Sequence, residues 1–158
     1  MKQVDESDWK EIIYPIMICE LPLFPKELAE KFYLKFFSYI EDGLGEMEAA
    51  IINIDGSLFW LKCPTDQDQI GTMVSVRSYE ADTQFALSKI LTVLNVDKTK
   101  LNWVADGLGK AKFILIRLDH NNNEIEMFRF HDKKIADIVR EKYETKGHKQ
   151  IYFIKNIT

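Results

Sequence analysis

The sequence predicts an α+β fold: a mostly antiparallel sheet of two hairpins and a C-terminal strand, with three main helices packed on it. Three observations carry that expectation. Asp55-Gly56 separates two apolar runs, Met47 to Ile54 and Ser57 to Cys63, and such a dipeptide is a strong type I′ hairpin signal. His120-Asn121-Asn122-Asn123 separates Lys112 to Asp119 from the alternating segment Glu124 to Phe130, and asparagine tolerates the positive φ that a tight turn demands. Helical periodicity occupies the windows 26–41, 79–95 and 132–146.

Taken in order, Asp5 to Tyr14 has a short helical pattern, with Asp8 and Glu11 spaced as a capping pair and Pro15 as its stop. Ile16 to Leu21 is a short apolar strand. Pro25 stands where a helix accepts proline. From Lys26 to Glu41, Ala29, Phe32, Phe36 and Ile40 line one helical face and Glu27, Lys31, Lys35 and Ser38 the other, with Asp42-Gly43 as the terminator. After the first hairpin, Pro64 closes the strand, Thr65 to Gln69 forms a polar loop, and Ile70 to Arg77 alternates as a third strand. Ser78 is placed to cap the next helix, whose buried face is Thr83, Ala86, Leu87, Ile90 and Leu94. Val96 to Val104 carries conflicting signals, apolar Trp103 against the polar run Asp97-Lys98-Thr99-Lys100. Asp132 caps the last helix, with Ile135, Ile138, Val139 and Tyr143 inward and Gly147 at its end. Ile151 to Ile154 is continuously apolar, the pattern of a central strand.

The chain has 158 residues, 46% hydrophobic and 29% charged. These values are those of one globular domain spanning 1–158, and they exclude disorder and collagen. The tetrapeptide Asp42-Gly43-Leu44-Gly45 recurs as Asp106-Gly107-Leu108-Gly109, each copy ahead of a strand and a hairpin. The spacing outlines two helix–hairpin units, 26–63 and 79–130. Neither copy has the lysine and Ser/Thr that make a phosphate loop.

Cys19 and Cys63 lie far apart in apolar surroundings, as buried thiols in a reducing compartment would. The N-terminus is acidic and has no apolar h-region, and the apolar stretch from Ile12 to Phe24 is broken by Pro15, Glu20 and Pro22. The expectation is a cytoplasmic protein with no membrane segment.

His120, His131 and His148 stand apart from one another and no Cys-x-x-Cys occurs. Hence no metal site, no cofactor and no catalytic set is expected. Glu124 and Glu126, like Glu46 and Glu48, share a strand face as solvated pairs. The basic tail mixes Lys133, Lys134, Arg140 and Lys142 with Asp137, Glu141 and Glu144. That is the composition of a solvated helix face, not of a nucleic-acid surface.

Overall net charge is −4, but residues 1–60 carry −7, residues 61–109 carry −1 and residues 110–158 carry +4. Phe32, Tyr33, Phe36, Phe37 and Tyr39 crowd one segment of the acidic front. Phe59 and Trp60, adjacent on a strand, must face opposite sides of the sheet. Either the sheet is covered on both faces, or one aromatic belongs to an apolar patch for a partner, rimmed by acidic groups.

In size, acidity and α+β character the chain resembles the small immunity proteins that neutralise contact-dependent bacterial toxins. That resemblance implies a non-catalytic protein that binds and blocks a protein partner, a basic toxin domain such as a nuclease. It makes Asp5, Glu6, Asp8, Glu46, Glu48, Asp66 and Asp68 the partner-binding residues. Two alternatives stand beside it. One is a small enzyme or ligand-binding domain with a site near Cys63, His120 and His131. The other is a homodimeric interaction module pairing through an edge strand.

Overall fold

The computed structural model describes residues 1–5, 15–66, 71–146 and 150–157. The helix expected over Asp5 to Tyr14, His148 and the Gly147 terminator lie outside the described residues, apart from Asp5 itself. The described strands are β1 (Lys2–Val4), β2 (Pro15–Leu21), β3 (Phe37–Glu41), β4 (Gly45–Ile54), β5 (Ser57–Pro64), β6 (Thr72–Arg77), β7 (Trp103–Val104), β8 (Phe113–Leu118), β9 (Glu124–Phe130) and β10 (Ile151–Asn156). The helices are α1 (Pro25–Phe32), α2 (Thr83–Leu94) and α3 (Lys133–Glu144).

This is the expected α+β architecture, with every strand pair antiparallel, but the strands form two sheets instead of one. The larger runs β1-β4-β5-β6-β2-β7, with β3 also on β4; the smaller runs β10-β8-β9. β1 pairs with Ile51 to Asn53 and β3 with Gly45 to Ala49, so the two share one edge of β4 end to end.

The Asp55-Gly56 turn joins β4 to β5 as the sequence predicts. Its φ values, 48° and 84°, are both positive, which is the signature of type I′. A Cβ added at Gly56 would meet nothing within 4 Å. Any penalty for Gly56→Ala is therefore backbone strain alone, about 1–2 kcal/mol. A fall in the urea midpoint at constant m-value is the expected readout, and an unshifted midpoint would mean the turn accommodates a side chain.

The helix expected to run to Glu41 stops at Phe32. Tyr33 is left-handed at φ 56°, and the chain then turns into β3. Phe32, Phe36 and Ile40 are spaced by four, and a spacing of four satisfies both a period of 3.6 and a period of two. Beyond Phe36, Phe37, Tyr39 and Glu41 alternate with Ser38 and Ile40, and β pairing with β4 captures them. The aromatic crowding is thereby divided between a helix end and a strand, and Asp42-Gly43 closes the β3–β4 hairpin. The second tetrapeptide copy sits differently. Gly109 accepts from the Thr83 amide at 2.9 Å, docking that loop on the start of α2.

Asp82, not Ser78, caps α2, its carboxylate accepting from the Phe85 amide at 2.9 Å. The segment with conflicting signals resolves into a 3-10 turn at Lys98–Lys100 and the two-residue β7. In the smaller sheet β8 is central. Among the described strands β10 is an edge, so there the continuous apolar run does not mark a central strand. Ile138 of α3 is 45% exposed instead of inward, while Ala136 and Val139 are buried.

The larger sheet is covered on both faces. Phe59 belongs to the main core with Ile18, Leu28, Ile52, Val76, Leu87 and Ile90, against α1 and α2. Trp60 belongs to a second cluster on the opposite face with Ala49, Ile51 and Leu58. A third core, Leu115, Phe130, Ala136, Val139 and Tyr152, joins the smaller sheet to α3.

Candidate functional site

One end of the larger sheet gathers three of the acidic residues singled out in the sequence. Glu46 and Glu48 leave β4 on the same side, two residues apart. Register places Ile40 beside Glu46, Ser38 beside Glu48, and Cys63 across from Glu48 on the other flank. Beyond β5, the Thr65 amide and hydroxyl both donate to the Glu46 carbonyl, at 3.0 and 3.1 Å, which ties the start of the polar loop and Asp66 to β4. Asp42, Glu46 and Asp66 are exposed and Glu48 is half-buried. None of Glu46, Glu48 or Asp66 is ion-paired to a described residue.

Apolar groups stand among these charges. Ile40 is 83% exposed and Leu44, at the hairpin tip, 55%. Gly43 and Gly45 both take positive φ, 78° and 85°, and the Leu44 amide donates to Glu41 O at 3.0 Å. The turn therefore holds Leu44 outward on a constrained backbone. Nearby, a cavity of about 370 Å³ opens between the start of α1 and β4–β5, lined by Phe24, Pro25, Lys26, Glu48 and Cys63. α1 begins here because Pro25 presets φ and Glu27 accepts from the Phe24 amide at 2.8 Å.

Asp5 lies elsewhere, in a cleft of about 580 Å³ with Lys2, Lys35 and Asn53, between β1 and the start of β3. The Gln3 side chain bridges that cleft to the Lys35 backbone in both directions, donating at 2.6 Å and accepting at 2.9 Å. Glu6, Asp8 and Asp68 lie outside the described residues.

Cys63, His120 and His131 are not brought together. His120 is exposed in the β8–β9 turn, whereas His131 follows the far end of β9. Seven strand residues, roughly 20 Å, separate the two. The His131 Nε2 lies 2.6 Å from the Glu80 carbonyl, so it is the protonated nitrogen and donates. Cys63 belongs to the other sheet, and no histidine among the described residues lines its cavity. Its thiol is pushed up by burial and by the charges of Glu48 and Glu20. Burial and Glu20 likewise raise Cys19, to about 12. Both stay protonated near neutrality, which is the opposite of nucleophile activation.

A polar group that sequence reasoning missed lies on the opposite face of the same sheet. The Lys62 ammonium donates to both Glu41 oxygens at 2.8 and 2.9 Å and lies 5.0 Å from the Trp60 ring centroid. Tyr39 donates to Glu41 at 2.6 Å. Burial first, then its bond to Glu41, pushes the Tyr39 hydroxyl up. This cluster is a buried brace between β3 and β5. A lysine inside the apolar run Leu58 to Cys63 was the available signal, since such a charge requires a partner.

On α3, Lys133 pairs with Asp137 at 2.8 Å, and Arg140 reaches Asp137, Glu141 and Glu144 at 3.4 to 3.7 Å. The basic tail thus spends much of its charge within its own helix. Among the described residues no group of three or more His, Cys, Asp or Glu is arranged to hold a metal ion. Nor is any helix among them long and apolar enough to cross a membrane. Comparison with family models, curated proteins and solved structures finds no match for this chain.

Proposed function

We propose that the chain is a non-catalytic binding protein that neutralises a protein partner, a basic bacterial toxin domain, in the cytoplasm. One observation supports this reading above the others: Glu46, Glu48 and Asp66 border the exposed Ile40 and Leu44 at one end of the larger sheet. Apolar anchors surrounded by charge are the composition of a docking surface. The carboxylates steer a cationic partner and set its orientation, and Ile40, Leu44 and Phe24 lose water when it seats.

The test is a pull-down from the native lysate with the tagged full chain, at low salt and at about 0.5 M, where screening cuts surface attraction severely. The expected result is one stoichiometric basic partner whose recovery falls at high salt. Reversal of the two exposed carboxylates, Glu46 and Asp66, to lysine should abolish that capture while Tm moves by no more than about 2 °C, since exposed substitutions cost little. Undiminished capture by the reversed protein would remove this end of the sheet from the proposal. Absence of any partner at either salt would remove the blocking function itself.

A further inference from the structure

Three ammonium groups converge on one cleft in the acidic part of the chain. Residues 1–60 carry −7 and residues 61–109 carry −1. Yet a cleft of about 750 Å³ between α1, the end of α2 and the 3-10 turn is lined by Lys31, Lys98 and Lys100. All three are exposed, and none is ion-paired to a described residue. Lys62, Lys133 and Lys155, by contrast, each reach a carboxylate. Among the described residues Asp97 is the one carboxylate lining the cleft. Its Oδ1 already accepts from the Thr99 amide and hydroxyl, both at 2.8 Å. Carbonyls at the end of α2 are met as well. The Val96 amide donates to Leu91 O at 3.0 Å and the Asn95 amide to Thr92 O at 3.2 Å. The negative pole of the helix is thereby muted, and the surplus facing the cleft is positive.

The cations are held on constrained backbone. Lys98 and Lys100 flank Thr99 on a turn closed by the Lys100 amide donating to Asp97 O at 3.0 Å, and Leu101 beside them packs against the main core. Lys31 sits in the last turn of α1, its Nζ 5.2 Å from the Phe32 ring centroid. Leu91 and Asn95 share one face of α2, and the Asn95 side-chain amide makes no hydrogen bond to a described residue. Part of the wall is apolar: Leu23, Leu91 and Val96. No arginine among the described residues lines the cleft, so the flat fork that grips a carboxylate is absent. Lysines act as point charges, which suits the rounded, multiply charged phosphate group. The volume is that of a small-molecule site.

We infer that this cleft binds a nucleotide-sized molecule bearing two or more phosphates. The phosphates lie among Lys31, Lys98 and Lys100, and the rest of the molecule covers Leu23, Leu91 and Val96. The site uses none of Glu46, Glu48 or Asp66, so it stands or falls independently of the proposed partner surface.

Calorimetric titration of the full chain with magnesium-free ADP at about 50 mM salt is the first test, since more salt would screen exposed lysines. Saturable binding is expected, and its absence overturns the inference. Two further probes separate the parts of the ligand. Pyrophosphate should bind more weakly than ADP because it leaves the apolar wall uncovered, and adenosine should not bind measurably. Adenosine as tight as ADP overturns the phosphate assignment, and pyrophosphate as tight as ADP overturns the role of the apolar wall. Lys31→Glu, Lys98→Glu and Lys100→Glu should each weaken ADP about tenfold with Tm unchanged. Lys134→Glu alters an exposed lysine of α3 that does not line the cleft and should leave the affinity as it is. Equal losses in all four variants would mean that ADP answers to net charge and not to this cleft, which overturns the site. Amide NMR shifts on adding ADP should cluster at Lys31 and along residues 88–100, and shifts confined to another region overturn it equally.

Discussion

Phe59→Ala should lower the stability of the protein by about 3–5 kcal/mol, the usual cost of emptying a buried aromatic site. Phe59 is fully buried and heads the large buried side chains of the main core. It sits at the middle of the larger sheet, opposite Ile52 on β4 and Val76 on β6, beneath residues of α1 and α2. Deleting the ring therefore removes contacts to both neighbouring strands and to the helix layer together. Collapse is limited, because β5 is held on both flanks by ladders and cannot slide toward the helices without breaking them. In urea the midpoint should fall with the m-value nearly unchanged, and Tm should drop by roughly 10 °C or more. A loss under about 1 kcal/mol would mean that the helices do not close over this ring.

Much of that core was legible in advance, and the failures have physical causes. Asp55-Gly56 specifies its turn locally, so the β4–β5 hairpin needed no tertiary information. The α2 face was equally clear, since Ala86, Leu87, Ile90 and Leu94 recur at helical spacing and are all fully buried. Residues 33–41 failed because Phe32, Phe36 and Ile40 satisfy two periods at once; β4 offered a ladder, and pairing overrode the helical pattern. Ile151 to Ile154 failed for another reason. Alternation tells which residues share a face but not how many strands lie beside them. Tyr152 is buried toward α3 and Ile151 is exposed on the other side, so an edge strand can be apolar throughout. The candidate site shows the same division. Glu46 and Glu48 follow from period two alone, whereas the arrival of Asp66 depends on where β5 ends and on Thr65 bonding to Glu46.

The brace between Glu41 and Lys62 was the least legible feature and gives the second large effect. Glu41→Gln should destabilise by about 2–4 kcal/mol near pH 7, because it leaves the Lys62 ammonium desolvated without its counter-charge. The cost stays short of a fully buried pair's, since the two side chains retain 11% and 25% of their exposure. Lys62→Met should cost less. The methionine still packs on Trp60, and Glu41 keeps the Tyr39 bond and some water. In the double variant the penalties should not add, leaving a coupling of about 1–3 kcal/mol. The dependence on pH fixes the mechanism. Burial by itself would raise the Glu41 carboxyl, but the bonds from Lys62 and Tyr39 and the charge of Lys62 outweigh it and hold it below its ordinary 4.5. A carboxyl lowered in the folded state contributes stability that is complete above its ordinary value and is lost as pH falls through the folded one. Urea titrations of the parent and Glu41→Gln should therefore differ by a constant amount above about pH 5. The two should converge as pH drops below 4.5. A gap that persists unchanged into acid would mean that the glutamine damages β3 packing, and that the carboxylate's charge is not what holds Lys62 in the sheet.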